Sequence, residues 1–130
     1  MKPSTRCTLD VTAYEATGYS SVLDGGRQVG RVLGCRIDAQ YEAGAHGLVL
    51  FVSPDTIFVG LLQILLVRDG TIAEQLRLGS GGEQGLATEF NSPDAGTITF
   101  RFPFDALRRL HVAPRSSLFG LRRRVLHLDP

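Results

Sequence analysis

Residues 24–51 read DGGRQVGRVLGCRIDAQYEAGAHGLVLF, and the way this stretch alternates decides the fold class. It turns at Asp24-Gly25-Gly26, continues extended to Tyr41, turns again around Gly44 and runs out at Phe51. Leu33, Cys35, Ile37, Ala39 and Tyr41 share one face, and Gly34, Arg36, Asp38 and Gln40 share the other. Alternation of this kind marks a β-strand with one buried side. The question it raises is what the apolar side faces: a packed core, or a cavity holding a ligand.

The same period-2 reading, with turn dipeptides as punctuation, predicts an all-β chain with strands over 8–14, 28–41, 47–53, 56–68, 71–78, 86–91, 97–103 and 118–128. Asp69-Gly70 inside ILLVRDGTIAEQL is the type I′ hairpin signal, and NSPDAG at 91–96 is a second turn. GSGGEQG at 79–85 reads as a loop, and FDALRRL at 104–110 as one or two helical turns stopped before Pro114. About eight antiparallel strands in a chain this long suit a small closed barrel or a sandwich. Residues 57–67 are apolar on both faces, with Ile57, Val59, Leu61, Leu65 and Val67 on one and Phe58, Leu62, Ile64 and Leu66 on the other. A strand with one wet face would alternate, so both faces must be covered. With helix scarce, a homodimer contact is the expected cover.

The 130 residues make one domain, 1–130, large enough to bury a core without staples. A net charge of +1 supplies no global field for nucleic acid or membrane. The two cysteines, Cys7 and Cys35, have no CxxC spacing and read as reduced thiols. The opening MKPSTRCTLD holds no apolar stretch suited to a signal peptide. The most apolar run, TIFVGLLQILLV, is too short to span a bilayer. A cytoplasmic protein is expected.

Sites of familiar chemistry are sparse. GSGGEQG has phosphate-loop glycines but is flanked by expected strands rather than by a strand and a helix. His46, His111 and His127 are far apart and lack metal-ligand spacing, so no metal and no cofactor is expected. No serine sits in a GxSxG elbow, and neither cysteine has an adjacent base. Arg108, Arg109, Arg115, Arg122, Arg123 and Arg124 crowd one segment with no acid between Asp105 and Asp129. That cluster reads as a solvated basic edge, as an arginine entering a pocket, or, more remotely, as a nucleic-acid contact. The aromatic residues carry most information. TITFRFPF sets Ile98, Phe100, Phe102 and Phe104 on one face, and Tyr41, Phe51, Phe58 and Phe90 lie in or near other strands. In a small barrel the core and a ligand cavity occupy the same place.

DGGRQVGRVLGCRI, HGLVLF, LLVRDGTI, EFNSPDAG and the closing LFGLRRRV together resemble the small calycin-like barrels of the allene oxide cyclase and dirigent type, and most closely the spirotetronate cyclases. The likeness covers residues 22–78 and 118–128. In that family a Trp would stand at Arg124, a pocket Tyr near Phe51 or Val52, and a Gly-rich approach in place of FPFDALRRLHVAP. The resemblance implies a calycin-like barrel and a cofactor-independent cyclase that folds a hydrophobic polyene in its lumen for an intramolecular [4+2] addition. Arg122, on the closing strand, would polarise the electron-poor partner, with Tyr41 orienting the same oxygen. Shared phase predicts a lumen lined by Cys35, Ile37, Tyr41, Phe100 and Phe102, with Phe51, Phe58, Phe90 and Leu126 completing the substrate-binding surface. The competing reading is a non-catalytic barrel that binds a small molecule or serves assembly.

Overall fold

The computed structural model describes residues 1–55, 60–79, 85–116 and 123–130, with side chains for all of these except 114–116 and 123. Twelve strands are described: β1 (Lys2–Pro3), β2 (Cys7–Asp10), β3 (Tyr19–Asp24), β4 (Arg27–Leu33), β5 (Arg36–Glu42), β6 (Leu48–Ser53), β7 (Leu62–Arg68), β8 (Thr71–Leu78), β9 (Thr88–Asp94), β10 (Thr97–Arg101), β11 (Leu107–Ser116) and β12 (Arg123–Leu128). Two short helical turns, α1 (Tyr14–Thr17) and a 3-10 turn at Gly44–His46, interrupt them. All pairings are antiparallel, in sheets ordered β1-β5-β6-β7-β8, β12-β11-β10-β9 and β2-β3-β4.

The five-stranded sheet lies between the other two. On one of its faces Val49, Phe51, Leu62, Ile64 and Leu66 pack against Ile98, Phe100, Leu110, Val112 and Leu126 of the four-stranded sheet. On the other, Leu48, Leu50, Val52, Leu65 and Val67 pack against Cys7, Val22, Val29 and Val32 of the three-stranded sheet. β6 and β7 are therefore central in a three-layer stack, and every residue from Leu62 to Val67 is buried. This accounts for the two-faced apolar run, because a strand buried on both sides has no polar face to show. The cover over 62–67 comes from the chain's own sheets, so a second copy is not required there. Ile57, Phe58 and Val59 lie outside the described residues.

Backbone pairing does not close into a ring among the described residues. Side chains and termini lace the sheet edges instead. The Glu74 carboxylate on β8 accepts the β12 N–H groups of Val125 at 2.8 Å and Leu126 at 3.1 Å. The Met1 nitrogen, beside β1, donates to the Ser92 hydroxyl and to the Asp94 carbonyl on β9. On the far side of the stack, the Gln40 amide exchanges two hydrogen bonds with the Cys7 backbone, at 3.0 and 2.9 Å.

Several local features depart from the sequence reading: the strand expected over 8–14 ends at Asp10 ahead of α1, and the turn expected over 91–96 is strand as far as Asp94. The strand expected over 28–41 is two strands, broken at Gly34-Cys35, where the chain leaves the three-stranded sheet and enters the central one. Gly34 has φ +133°, and a Cβ there would meet the Ser53 carbonyl oxygen at 3.0 Å, so glycine permits the crossing. A strand at 19–24, unrecognised in YSSVLD, pairs with both β2 and β4. The helical turns expected at 104–110 are overridden: residues from Leu107 onward form β11, with Leu110 and Val112 buried and Arg109 exposed. Here burial of alternate apolar side chains outweighs local helix propensity. By contrast, the Asp69-Gly70 hairpin forms with positive φ at both residues, 54° and 74°, as a type I′ turn requires.

Candidate functional site

The lumen residues read from alternation do not share one face, and a β-bulge is the reason. Along β5, Ile37 is paired with Val52 and Ala39 with Phe51, so two residues of β5 advance against one of β6. The extra residue, Asp38, reverses the faces. Ile37 joins the layer under the three-stranded sheet, whereas Ala39 and Tyr41 join the layer under the four-stranded sheet. Cys35, before β5 begins, is half-buried at the rim of a groove. Arg122 and Phe58 lie outside the described residues.

The other predicted residues converge. Tyr41, Phe51, Phe90, Phe100, Phe102 and Leu126 meet in the layer between the central and four-stranded sheets. Phe51 packs edge-to-face on Phe90 at 4.9 Å and on Phe100 at 5.1 Å, and Phe90 stacks on Phe100 at 5.7 Å. These are the spacings of a filled aromatic core. Tyr41 is buried, and burial pushes its phenol above the ordinary value, so near neutrality it keeps its proton.

A groove of about 590 Å³ opens elsewhere, along the edge of β5 that β1 leaves uncovered. Ser4, Thr5 and residues Cys7, Thr8 and Leu9 form one wall, and Cys35 to Gln40 form the other. Gln40 sets the separation of the walls by clamping Cys7. Inside, Arg36 Nε donates to Asp38 Oδ1 at 2.9 Å, and Arg36 Nη2 donates to the Ser53 hydroxyl at 3.1 Å. Arg36 and Asp38 stand two apart on β5 and Ser53 lies opposite Arg36 on β6, so sheet geometry brings the three together. The Arg36 side chain is 45% exposed and that of Asp38 only 10%. Asp38 Oδ2 is buried and meets no hydrogen-bond donor among the described residues. Burial raises the Asp38 carboxyl above its ordinary value, against the pull of Ser53 and Arg36.

Both groove cysteines are free thiols. Burial, reinforced by Asp24, pushes Cys7 up to about 11. Burial raises Cys35 as well, against a hydrogen bond from Tyr14. Neither is thereby an activated nucleophile, since the thiolate is the reactive form. Tyr14 also bridges to Asp55 Oδ1 at 3.3 Å, near Cys35.

Much of the described part of the arginine cluster is engaged internally. Arg108 Nε donates to the Phe102 carbonyl at 2.9 Å, Arg109 lies 3.8 Å from Asp129, and Arg124 lies 4.0 Å from Glu74. The side chains of Arg115, Arg122 and Arg123 are not among those described. His111 and His127 face each other across β11 and β12, but His111 is held by Asp129 at 2.9 Å and His127 by the Arg124 carbonyl at 2.8 Å. Among the described residues no three histidines, cysteines or carboxylates gather as a metal site would require.

Sequence reasoning passed over Arg36, Asp38, Gln40 and Ser53, having placed the first three on the polar side of the strand. The available signal was the opposite charges at i and i+2, which project from one side of a strand. Compared with protein-family models, curated proteins and solved structures, the chain has no match. No helix among the described residues is long and apolar enough to cross a membrane.

Proposed function

We propose that this chain is a non-catalytic, small-molecule-binding all-β domain whose ligand lies in the groove between β2 and β5. The observation that carries the reading is the pairing of an apolar wall, Leu9 and Ile37, with a half-exposed cation, Arg36, in one groove. Pockets that bind small molecules combine apolar walls with a few placed polar groups in this way. The aromatic layer is packed on itself, which favours the groove as the place for a ligand. The free thiols of Cys7 and Cys35 support a reducing, cytoplasmic setting. The test is a small-molecule screen read by amide chemical shifts. Saturable shifts confined to residues 4–9 and 35–40 support the reading, and hits that map elsewhere sink it.

A second reading keeps the cyclase implied by the family resemblance. It is favoured by the convergence of Tyr41, Phe51, Phe90, Phe100, Phe102 and Leu126 in one layer. The lacing of β8 to β12 and of Met1 to β9 supports treating the two sheets around that layer as a flattened, calycin-like barrel. In this reading Arg122 polarises the substrate and Tyr41 orients it as a hydrogen-bond donor. Turnover of a linear polyene bearing an activated alkene tests it. Arg122→Leu should lower that turnover by more than about tenfold while the fold stays intact.

A further inference from the structure

We propose that the β2–β5 groove is a receptor for an amphiphilic carboxylate, a short acyl chain ending in one carboxylate, with Arg36 as its anchor. The inference rests on the groove reading above and specifies the ligand class.

Of the Arg36–Asp38 pair, both of which line the groove, the anion is the buried member and the cation the exposed one, at 10% and 45%. A guanidinium has five N–H donors in a planar fork. Arg36 spends its Nε–H on Asp38 and one Nη2–H on Ser53. Its Nη1 makes no hydrogen bond among the described residues. The fork is thus pinned from one side by Asp38 and Ser53, and its remaining donors are left for a partner. Two parallel N–H groups in this arrangement match the two oxygens of a carboxylate. Pinning also lowers the ordering cost that a long side chain otherwise imposes on binding.

The rest of the groove selects the body of the ligand. Leu9 and Ile37 line it beside the Cys7 and Cys35 thiols, which burial holds in the neutral form. A small hydrophilic anion would leave those walls unused. An acyl chain would cover them while its carboxylate reached Arg36. Asp38 acts as a positioning residue: its Oδ1 holds the guanidinium, and its buried Oδ2 is out of a ligand's reach.

The experiment titrates the protein with octanoate, octan-1-ol and acetate, following backbone amide shifts. Octanoate should give saturable shifts in residues 4–9 and 35–40, with acetate and octan-1-ol each at least about tenfold weaker. Arg36→Gln should weaken octanoate by a similar factor, and Arg36→Lys should recover part of the loss. If octan-1-ol matches octanoate, the carboxylate class is wrong while the groove remains a binding site. If acetate matches octanoate, the apolar wall contributes nothing and the amphiphile is wrong. If octanoate leaves the groove amides unmoved, the proposal fails. Screening hits at the groove would then spare the broader reading, and their absence would end it too. Should Arg36→Gln not fold, the three-ligand comparison on the unaltered protein decides alone.

Discussion

Glu74 and Val125 join two sheets that share no backbone ladder among the described residues: the carboxylate on β8 takes the N–H of Val125 at 2.8 Å, with that of Leu126 beside it. A carboxylate accepting two backbone donors stands in for a strand pair at an edge that would otherwise be left open.

Removing that acceptor should loosen the seam. Glu74→Ala is expected to cost about 1–3 kcal/mol, and Glu74→Gln less, because an amide keeps one accepting oxygen. Urea denaturation measures both. Equal stability of Glu74→Ala and the parent would mean that packing alone holds β8 against β12.

The aromatic layer separates the two functional readings by its energetics. If Phe51, Phe90 and Phe100 form a packed core, Phe100→Ala should destabilise the protein by about 3–5 kcal/mol. If they instead line an open chamber, the same truncation should cost little and enlarge the space available to a substrate. Chemical unfolding read by circular dichroism distinguishes these outcomes.

Gly34 is expected to resist substitution where Gly25 tolerates it. Both have positive φ, but only at Gly34 would an added Cβ meet backbone, the Ser53 carbonyl at 3.0 Å. Gly34→Ala should lose roughly 1–3 kcal/mol for the strained conformation, plus the cost of that contact, and so lower Tm more than Gly25→Ala. A reversed order in thermal melts would contradict the close crossing.

Cys7 should be silent to thiol reagents near neutrality, with labelling of the folded protein confined to the more exposed Cys35. Its burial also makes stability pH-dependent. Because the folded value, about 11, lies above the ordinary 9.0, the folded state holds the proton more tightly. Stability from this group is therefore full below about pH 9 and declines as pH rises toward 11. Cys7→Ala should flatten that decline, and an unchanged slope would remove Cys7 as its cause.

Covering both faces of β7 from within the chain predicts a monomer of 14.1 kDa by light scattering at micromolar concentration. A dimer would have to use a surface other than residues 62–67. The exposed Phe104 and Leu107 mark the place to examine first.

Alternation, turn dipeptides and the two-faced apolar run were enough to read an antiparallel all-β protein from the amino-acid sequence. They located β6, β8 and the Asp69-Gly70 hairpin closely, because those elements rest on local chemistry: side-chain period and allowed φ. The run at 57–67 also announced burial on both sides, which is a property of composition. What covers it is a matter of which sheets stack, and that depends on contacts between β4, β7 and β10, far apart in the chain. The same limit applied to the site. One inserted residue, Asp38, moved Ile37 and Tyr41 to opposite layers, and a bulge leaves no mark in a pattern that still alternates. Arg36, Asp38 and Ser53 became a unit only when β5 paired with β6, since hydrogen bonds across a sheet are set by register, which tertiary structure alone decides.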